Sequence, residues 1–84
     1  MITKIEKYGA AWCSPCRVLD KTLQQLRKET DIEIITYDVD ENEKLATEKG
    51  IRNVPVLIFY ENEKEVRRTV GALPLNKIKQ ILSE

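Results

Sequence analysis

The chain's two cysteines lie three positions apart, in the run Cys13-Ser14-Pro15-Cys16, where one structural pattern gives way to another. A short strand-like stretch ends just before them, and a long amphipathic helical pattern begins between them. A C-x-x-C pair at a strand-to-helix turn is typical of a dithiol that cycles between a reduced form and a disulfide. Any fold for this chain must therefore start a helix beside the first sulfur.

The residues between the cysteines favour that helix start. Ser14 is a good N-cap, and Pro15 suits the first helical position because its missing N–H would have no partner there. Cys13 then lies beside unpaired backbone N–H groups and the positive end of the helix dipole, so we expect its pKa to fall below the ~8.5 of a free cysteine. Cys16 is predicted to be more covered, which gives one exposed and one shielded thiol. Arg17 is predicted to be a solvated first-turn residue.

Two other uses of the cysteine pair remain open at this point. A C-x-x-C pair can supply half of a zinc site, but zinc takes four ligands, and the chain has no His and only two Cys. A metal site would therefore need a second chain, and we predict none. The cysteines could also be buried without chemistry, although the helix start beside them favours a redox pair.

Length and composition narrow the class of protein. The 84 residues suffice for one domain, which we place at 1–84. Fourteen basic and fourteen acidic side chains cancel, so no net charge attracts nucleic acid or an anionic membrane. No apolar run approaches the ~20 residues of a membrane span, and few apolar residues follow Met1, so we expect no signal peptide. A C-x-x-C protein without an export signal is expected in the reducing cytoplasm, where such a pair is transient and catalytic. We also expect a monomer.

Apolar patterns alternate between strands and helices along the chain. The first predicted strand, 2–9, contains several charged side chains. The last, 65–70, is predicted to lie at a sheet edge. Strands are predicted at 2–9, 32–39, 54–60 and 65–70, and helices at 15–29, 40–50 and from Pro74 onward. The order β-α-β-α-β-β-α predicts a parallel first pair, a closing antiparallel hairpin, and an α/β fold with helices on both faces of a four-stranded mixed sheet.

The second helix has its own start and stop signals. Asp40 and Glu43 form a candidate capping box, with Asp40 as the N-cap. Gly50 is predicted to end the helix. We interpret the acidic cluster as a solvated helix start and not as a metal site.

Three motifs in order resemble the thioredoxin family. Residues 12–17 resemble its W-C-G-P-C-[KR] signature, with Ser14 in place of Gly. Residues 50–57 are similar to the G-I-R-x-[IV]-P-T-L segment that carries the family's cis-proline, and residues 70–73 to its V-G-A-L stretch. The resemblance implies a thioredoxin-like fold and a thiol–disulfide oxidoreductase that mainly reduces protein disulfides in the cytoplasm.

The resemblance also implies roles and partners. Cys13 would be the nucleophile that forms a mixed disulfide with a target protein, and Cys16 the resolving thiol. No cofactor is implied beyond this redox-active disulfide, and the electron donor would be a flavoprotein of the thioredoxin-reductase type. Pro55 would be cis and would leave the backbone of Val54 free to pair with a substrate strand. A shallow apolar rim for substrate is expected from Trp12, Val54, Pro55, Gly71 and Ala72.

The chain departs from the family pattern behind the cysteines. It lacks the family's N-terminal strand and helix, and Lys7 stands where thioredoxins carry a buried Asp, while Thr36 stands where they often carry Lys. One hypothesis is that Lys7 acts on the dithiol from behind, as a cation that favours thiolate or, when neutral, as a proton acceptor. The alternative is that its charge extends into solvent. Ser14, Pro15 and Lys7 are thus the predicted modulating residues.

Two other functions compete with this interpretation. A glutaredoxin-like, glutathione-dependent oxidoreductase would have a similar fold, but glutaredoxins usually carry C-P-Y-C, and cationic groups that bind glutathione are not evident here. A non-catalytic binding module would use the fold without the chemistry.

Overall fold

The computed structural model describes all 84 residues, and its elements follow the predicted order. They are β1 (Lys4–Gly9), α1 (Ser14–Glu29), β2 (Glu33–Asp38), α2 (Glu43–Glu48), β3 (Val56–Glu61), β4 (Lys64–Val70) and α3 (Leu75–Leu82). The strands form one sheet in the order β2-β1-β3-β4. Strand β1 pairs parallel with β2 and antiparallel with β3, and β3 and β4 form the hairpin. The predicted mixed sheet and the edge position of the last strand are confirmed.

Helices cover both faces of the sheet, as predicted. Side chains alternate between faces along a strand, and Ile5, Leu57 and Phe59 point to the face covered by α1 and α3. The helix residues packed there are Leu19, Leu23, Leu26, Ile78 and Ile81. The opposite face carries a second buried cluster of Tyr8, Val56, Ile58 and Tyr60 against partly buried side chains that include Leu45 of α2. None of the three helices combines the length and the apolar character needed to cross a bilayer.

Strand β1 is central and buried even though its sequence is polar. Glu6 is 6% exposed, and its carboxylate accepts hydrogen bonds from the hydroxyls of Tyr8 at 2.9 Å and Tyr60 at 2.7 Å. Lys49 donates to the Tyr60 hydroxyl at 2.9 Å. Burial, and then the hydrogen bond to Glu6, raise the pKa of Tyr8 above its ordinary value, so this phenol stays a donor. The buried carboxylate is therefore satisfied by one phenol from its own strand and one from the neighbouring β3.

Helix α2 starts later than predicted, and Asp40 is not its N-cap. The Asp38 side chain accepts the backbone N–H of Asp40 at 2.8 Å, and the Asn42 amide donates to the Asp38 backbone oxygen at 2.9 Å. A turn built on Asp38 therefore precedes the helix, and Asn42 is the N-cap. Gly50 follows the helix with a φ of 69°, a left-handed conformation that suits glycine at this end.

Core packing on α1 can be tested with a matched pair of truncations. Leu23 is fully buried under the sheet, whereas Val18 on the same helix is 58% exposed. We expect Leu23→Ala to lower the free energy of unfolding by about 2–5 kcal/mol, because it leaves a cavity in the core. Val18→Ala should change it by less than about 0.5 kcal/mol. Urea denaturation of both variants measures the difference, and equal effects would contradict this placement of the helix.

Candidate active site

Cys13 and Cys16 form a disulfide at the N-terminus of α1, with their Cα atoms 5.2 Å apart. The helix begins at Ser14, one residue earlier than predicted, so the N-cap is Cys13 and not Ser14. The backbone N–H of Cys16 lies 3.2 Å from Sγ of Cys13 and donates to it. The sulfur thus occupies the place of the usual capping oxygen and receives one of the helix's unpaired N–H groups.

The disulfide is more covered than predicted. Cys13 was expected to be exposed, but it is only 5% accessible, against 1% for Cys16. Ala10 packs with both cysteines, and Val39 and Val54 close the cluster. The Val54 backbone oxygen lies 3.9 Å from Sγ of Cys13. The predicted order of exposure holds, since Cys13 is slightly more accessible than Cys16.

Arg17 is exposed, as the sequence predicted, but its guanidinium also hydrogen-bonds the turn that carries the cysteines. Its Nη1 donates to the backbone oxygen of Ala11 at 2.8 Å, and its Nη2 to the Ser14 hydroxyl at 3.3 Å. The backbone N–H of Cys13 also donates to the oxygen of Ala10 at 3.2 Å. The i to i+3 spacing of Ser14 and Arg17, neighbours on a helix surface, is the sequence signal for part of this contact.

The loop before β3 lies against the cysteine turn. The Val54–Pro55 peptide bond is cis, the geometry that the resemblance implies, and Pro55 is fully buried. Gly71 donates its backbone N–H to the oxygen of Pro55 at 2.8 Å and has a φ of 97°. Ala72 follows in an exposed position. Of the five predicted rim residues, only Val54 belongs to the apolar cluster around the disulfide.

Trp12 stands over a groove beside this loop. Its side chain is 69% exposed, and its Nε1 donates to Oδ2 of Asp40 at 2.9 Å. The groove has a volume of about 320 Å³ and is lined by Trp12, Val39, Ile51, Arg52, Asn53 and Val54. The sequence predicted Trp12 and Val54 on a rim beside Cys13 but did not predict the hydrogen bond from the indole to Asp40. Parallel β1 and β2 end at one edge of the sheet, and this topology is the signal that brings the residues after them together.

Lys7 is buried behind the disulfide and does not reach solvent. It is 5% exposed, and its Nζ lies 2.7 Å from Oδ1 of Asp20 on α1. Thr36 pairs with it on β2 and is exposed. A cavity of about 380 Å³ opens beside this ion pair. No group of three or more His, Cys, Asp or Glu side chains is arranged to hold a metal ion.

Comparison with known proteins gives a consistent set of relatives. The family model described as Thioredoxin matches residues 3–84. A thioredoxin from Chlorobaculum thiosulfatiphilum is 35% identical over 79 residues, which cover 92% of this chain and 73% of that protein. A thioredoxin from Griffithsia pacifica is 33% identical over 69 residues, covering 80% of this chain and 63% of the relative, so the chain spans less than two thirds of that protein.

Solved structures agree with these sequence relatives. A mutant thioredoxin from Halobacterium salinarum superposes with a TM-score of 0.90 at 31% identity, covering 95% of this chain and 71% of that one. Thioredoxin from Fasciola hepatica superposes with a TM-score of 0.88, also at 31% identity, covering 95% of this chain and 77% of that one.

The role of Arg17 in holding the cysteine turn is testable by hydrogen exchange. Arg17→Met removes both guanidinium hydrogen bonds, each worth about 1 kcal/mol. We expect the amide of Cys13 to exchange about fivefold faster or more, because the turn opens locally. Arg27→Met is the control. Arg27 lies at the other end of α1 and donates to the backbone oxygen of Ile34 on β2, far from the cysteine turn. Unchanged exchange at Cys13 in the Arg17 variant would contradict the contact.

Proposed function

Because the chain belongs to the thioredoxin family, we propose that it works mainly as a reductant of disulfides in target proteins. Its Cys13–Cys16 disulfide and its relatives make it a thiol–disulfide oxidoreductase. The hydrogen bond from the backbone N–H of Cys16 to Sγ of Cys13 carries the exchange chemistry, and the family assignment supports the direction of electron flow. In the reduced protein the same N–H would favour the Cys13 thiolate, which is the form that attacks a disulfide. The proposed unit is a monomer in which residues 1–84 act as one domain.

The proposed reaction has two exchange steps. The Cys13 thiolate attacks one sulfur of a target disulfide, that bond breaks, and the other target sulfur leaves as a thiolate and takes a proton from water. Cys16 then loses its proton and attacks Sγ of Cys13, which displaces the second target sulfur. Two electrons pass to the target, and the Cys13–Cys16 disulfide is restored. The greater exposure of Cys13 supports this order of attack.

The target segment is proposed to lie across the loop beside the disulfide. The exposed indole of Trp12 offers a large apolar contact at the rim of the groove. The backbone of Val54 lies next to Sγ of Cys13 and is proposed to pair with an extended target segment. No atom lies within 4 Å of the position that a Cβ on Gly71 would occupy, which supports backbone approach by a target there. Pro55 and Ala72 complete the proposed docking surface.

The electron donor is proposed to be a flavoprotein of the thioredoxin-reductase type, acting in the cytoplasm. The family assignment supports this donor. A reductant of protein disulfides also needs a compartment in which its own disulfide is reduced again, which fits a cytoplasmic location.

Insulin reduction by dithiothreitol tests the chemistry. The parent protein should accelerate precipitation of the insulin chains over dithiothreitol alone. Cys13→Ser should abolish the acceleration because the nucleophile is lost. Cys16→Ser, reduced beforehand and mixed with insulin without dithiothreitol, should accumulate a mixed disulfide because the resolving thiol is missing. Parent protein with both thiols alkylated is the matched control. A parent protein that gives no acceleration would establish a non-catalytic binding module instead.

Donor choice and redox potential test the direction of electron flow. NADPH with a thioredoxin reductase should reduce the Cys13–Cys16 disulfide faster than glutathione does. Equilibration with a glutathione buffer should give a potential near ~−270 mV, as for a reductant, and not near ~−120 mV, as for an oxidant. Preferential reduction by glutathione would identify a glutaredoxin-like protein.

A further inference from the structure

We propose that the buried ammonium of Lys7 stabilises the thiolate of Cys16 during the resolving step, and that Asp20 is the positioning residue that holds Lys7 there. The proposal deepens the proposed function, because it rests on Cys16 acting as the resolving thiol. It assigns to two charged residues a task that the cysteine motif does not supply.

The burial of Lys7 is the first observation. Lys7 lies on the same face of β1 as Ile5, which belongs to the core beneath α1 and α3. A buried ammonium is costly unless it is paired, and Asp20 lies 2.7 Å from it across the interface between β1 and α1. The Asp20 side chain is 44% exposed, so the pair has a buried cationic end and a partly hydrated anionic end. The cation is therefore the end that acts inside the protein.

The position of Gly9 shows how close the ammonium is to the resolving cysteine. A Cβ added to Gly9 would lie 2.6 Å from Nζ of Lys7 and 3.2 Å from Cβ of Cys16. Both atoms therefore surround the same point, which is empty only because residue 9 has no side chain. The ammonium and the resolving cysteine are neighbours across Gly9.

The other charged and titratable groups around the cavity are occupied elsewhere. Arg17 bonds the turn through both guanidinium nitrogens, and the Asp38 carboxylate accepts the backbone N–H of Asp40. Tyr37 stacks on Tyr8, with ring centroids 5.1 Å apart. Among the charged side chains that line the cavity, Lys7 is therefore the cation available to Cys16, and Asp20 is its anionic partner. The lining charged and titratable groups are Lys7, Arg17, Asp20, Tyr37 and Asp38.

The chemical consequence concerns the proton of Cys16. This thiol must ionise before it attacks, and a nearby cation favours the thiolate. Its proton passes to water. Sγ of Cys16 then bonds to Sγ of Cys13, the Cys13–target bond breaks, and the target sulfur departs as a thiolate that takes a proton from water. In this step Lys7 acts as a charge and not as a base.

The test titrates Cys16 alone, in a Cys13→Ser background, by the ultraviolet absorbance of the thiolate. Lys7→Met should raise the pKa of Cys16 by about one unit or more, because an adjacent opposite charge is lost. Gly9→Ala should raise it in the same direction with both charges retained, because the new Cβ displaces the ammonium. Asp20→Asn keeps a side-chain oxygen that can hold Lys7 in place but removes the negative charge, so it should lower the pKa of Cys16. Lys79→Met, which breaks the remote ion pair with Glu29, is the control and should leave that pKa unchanged.

Two outcomes overturn the proposal: an unchanged pKa of Cys16 in Lys7→Met, and a pKa of Cys16 that does not rise in Gly9→Ala. If Lys7→Met does not fold, Gly9→Ala and Asp20→Asn decide by their opposite expected shifts. With both cysteines present, Lys7→Met should slow release of the mixed disulfide about tenfold near neutral pH, in line with the lower thiolate fraction.

The same experiments distinguish failure of this proposal from failure of the proposed function. If the parent protein reduces insulin but Lys7→Met leaves the pKa of Cys16 unchanged, only the role of Lys7 is overturned. A parent protein inactive in insulin reduction overturns the proposed function, whatever the titration shows.

Discussion

The contact between the first turn of α1 and Sγ of Cys13 is the interaction on which the site depends. A helix N-terminus leaves backbone N–H groups without partners, and here one of them points at sulfur instead of a capping oxygen. The cap and the proposed nucleophile are thus the same atom. Replacing Cys13 with an ordinary N-cap such as Ser would keep the helix start but remove the chemistry, because only sulfur can exchange with a disulfide.

The sheet determines what surrounds that sulfur. Because β1 and β2 run parallel, the turn after Gly9 and the turn after Asp38 emerge at one edge, and Trp12 reaches Asp40 across it. Strand β3 runs antiparallel to β1, so the residues before its start arrive at the same edge and bring Val54 to Cys13. Three chain segments distant in sequence therefore meet around two sulfurs through strand directions alone.

The sequence predicted the order of elements and the cysteine turn well because both rest on local patterns. The periodicity of Leu19, Leu23 and Leu26 and the hairpin spacing need no distant partner to be recognised. The covering of Cys13 and the capping of α2 were predicted wrongly. Each depends on a contact that the pattern does not show: Val54 closes over the sulfur, and Asp38 takes the N–H of Asp40.

The polarity of β1 has one explanation on each face of the sheet. Glu6 meets two phenolic hydroxyls, so its charge is satisfied by donors that stay protonated. Lys7 meets one carboxylate at the edge of α1 and a glycine that lets it approach Cys16. A carboxylate behind the resolving thiol, as the resemblance implies for other thioredoxins, would accept its proton, whereas an ammonium there lowers the free energy of the thiolate directly. Both arrangements favour ionisation, and the second requires that the cation have a counter-ion on the side away from the sulfur. Asp20, one turn beyond Cys16 on α1, is placed to be that counter-ion.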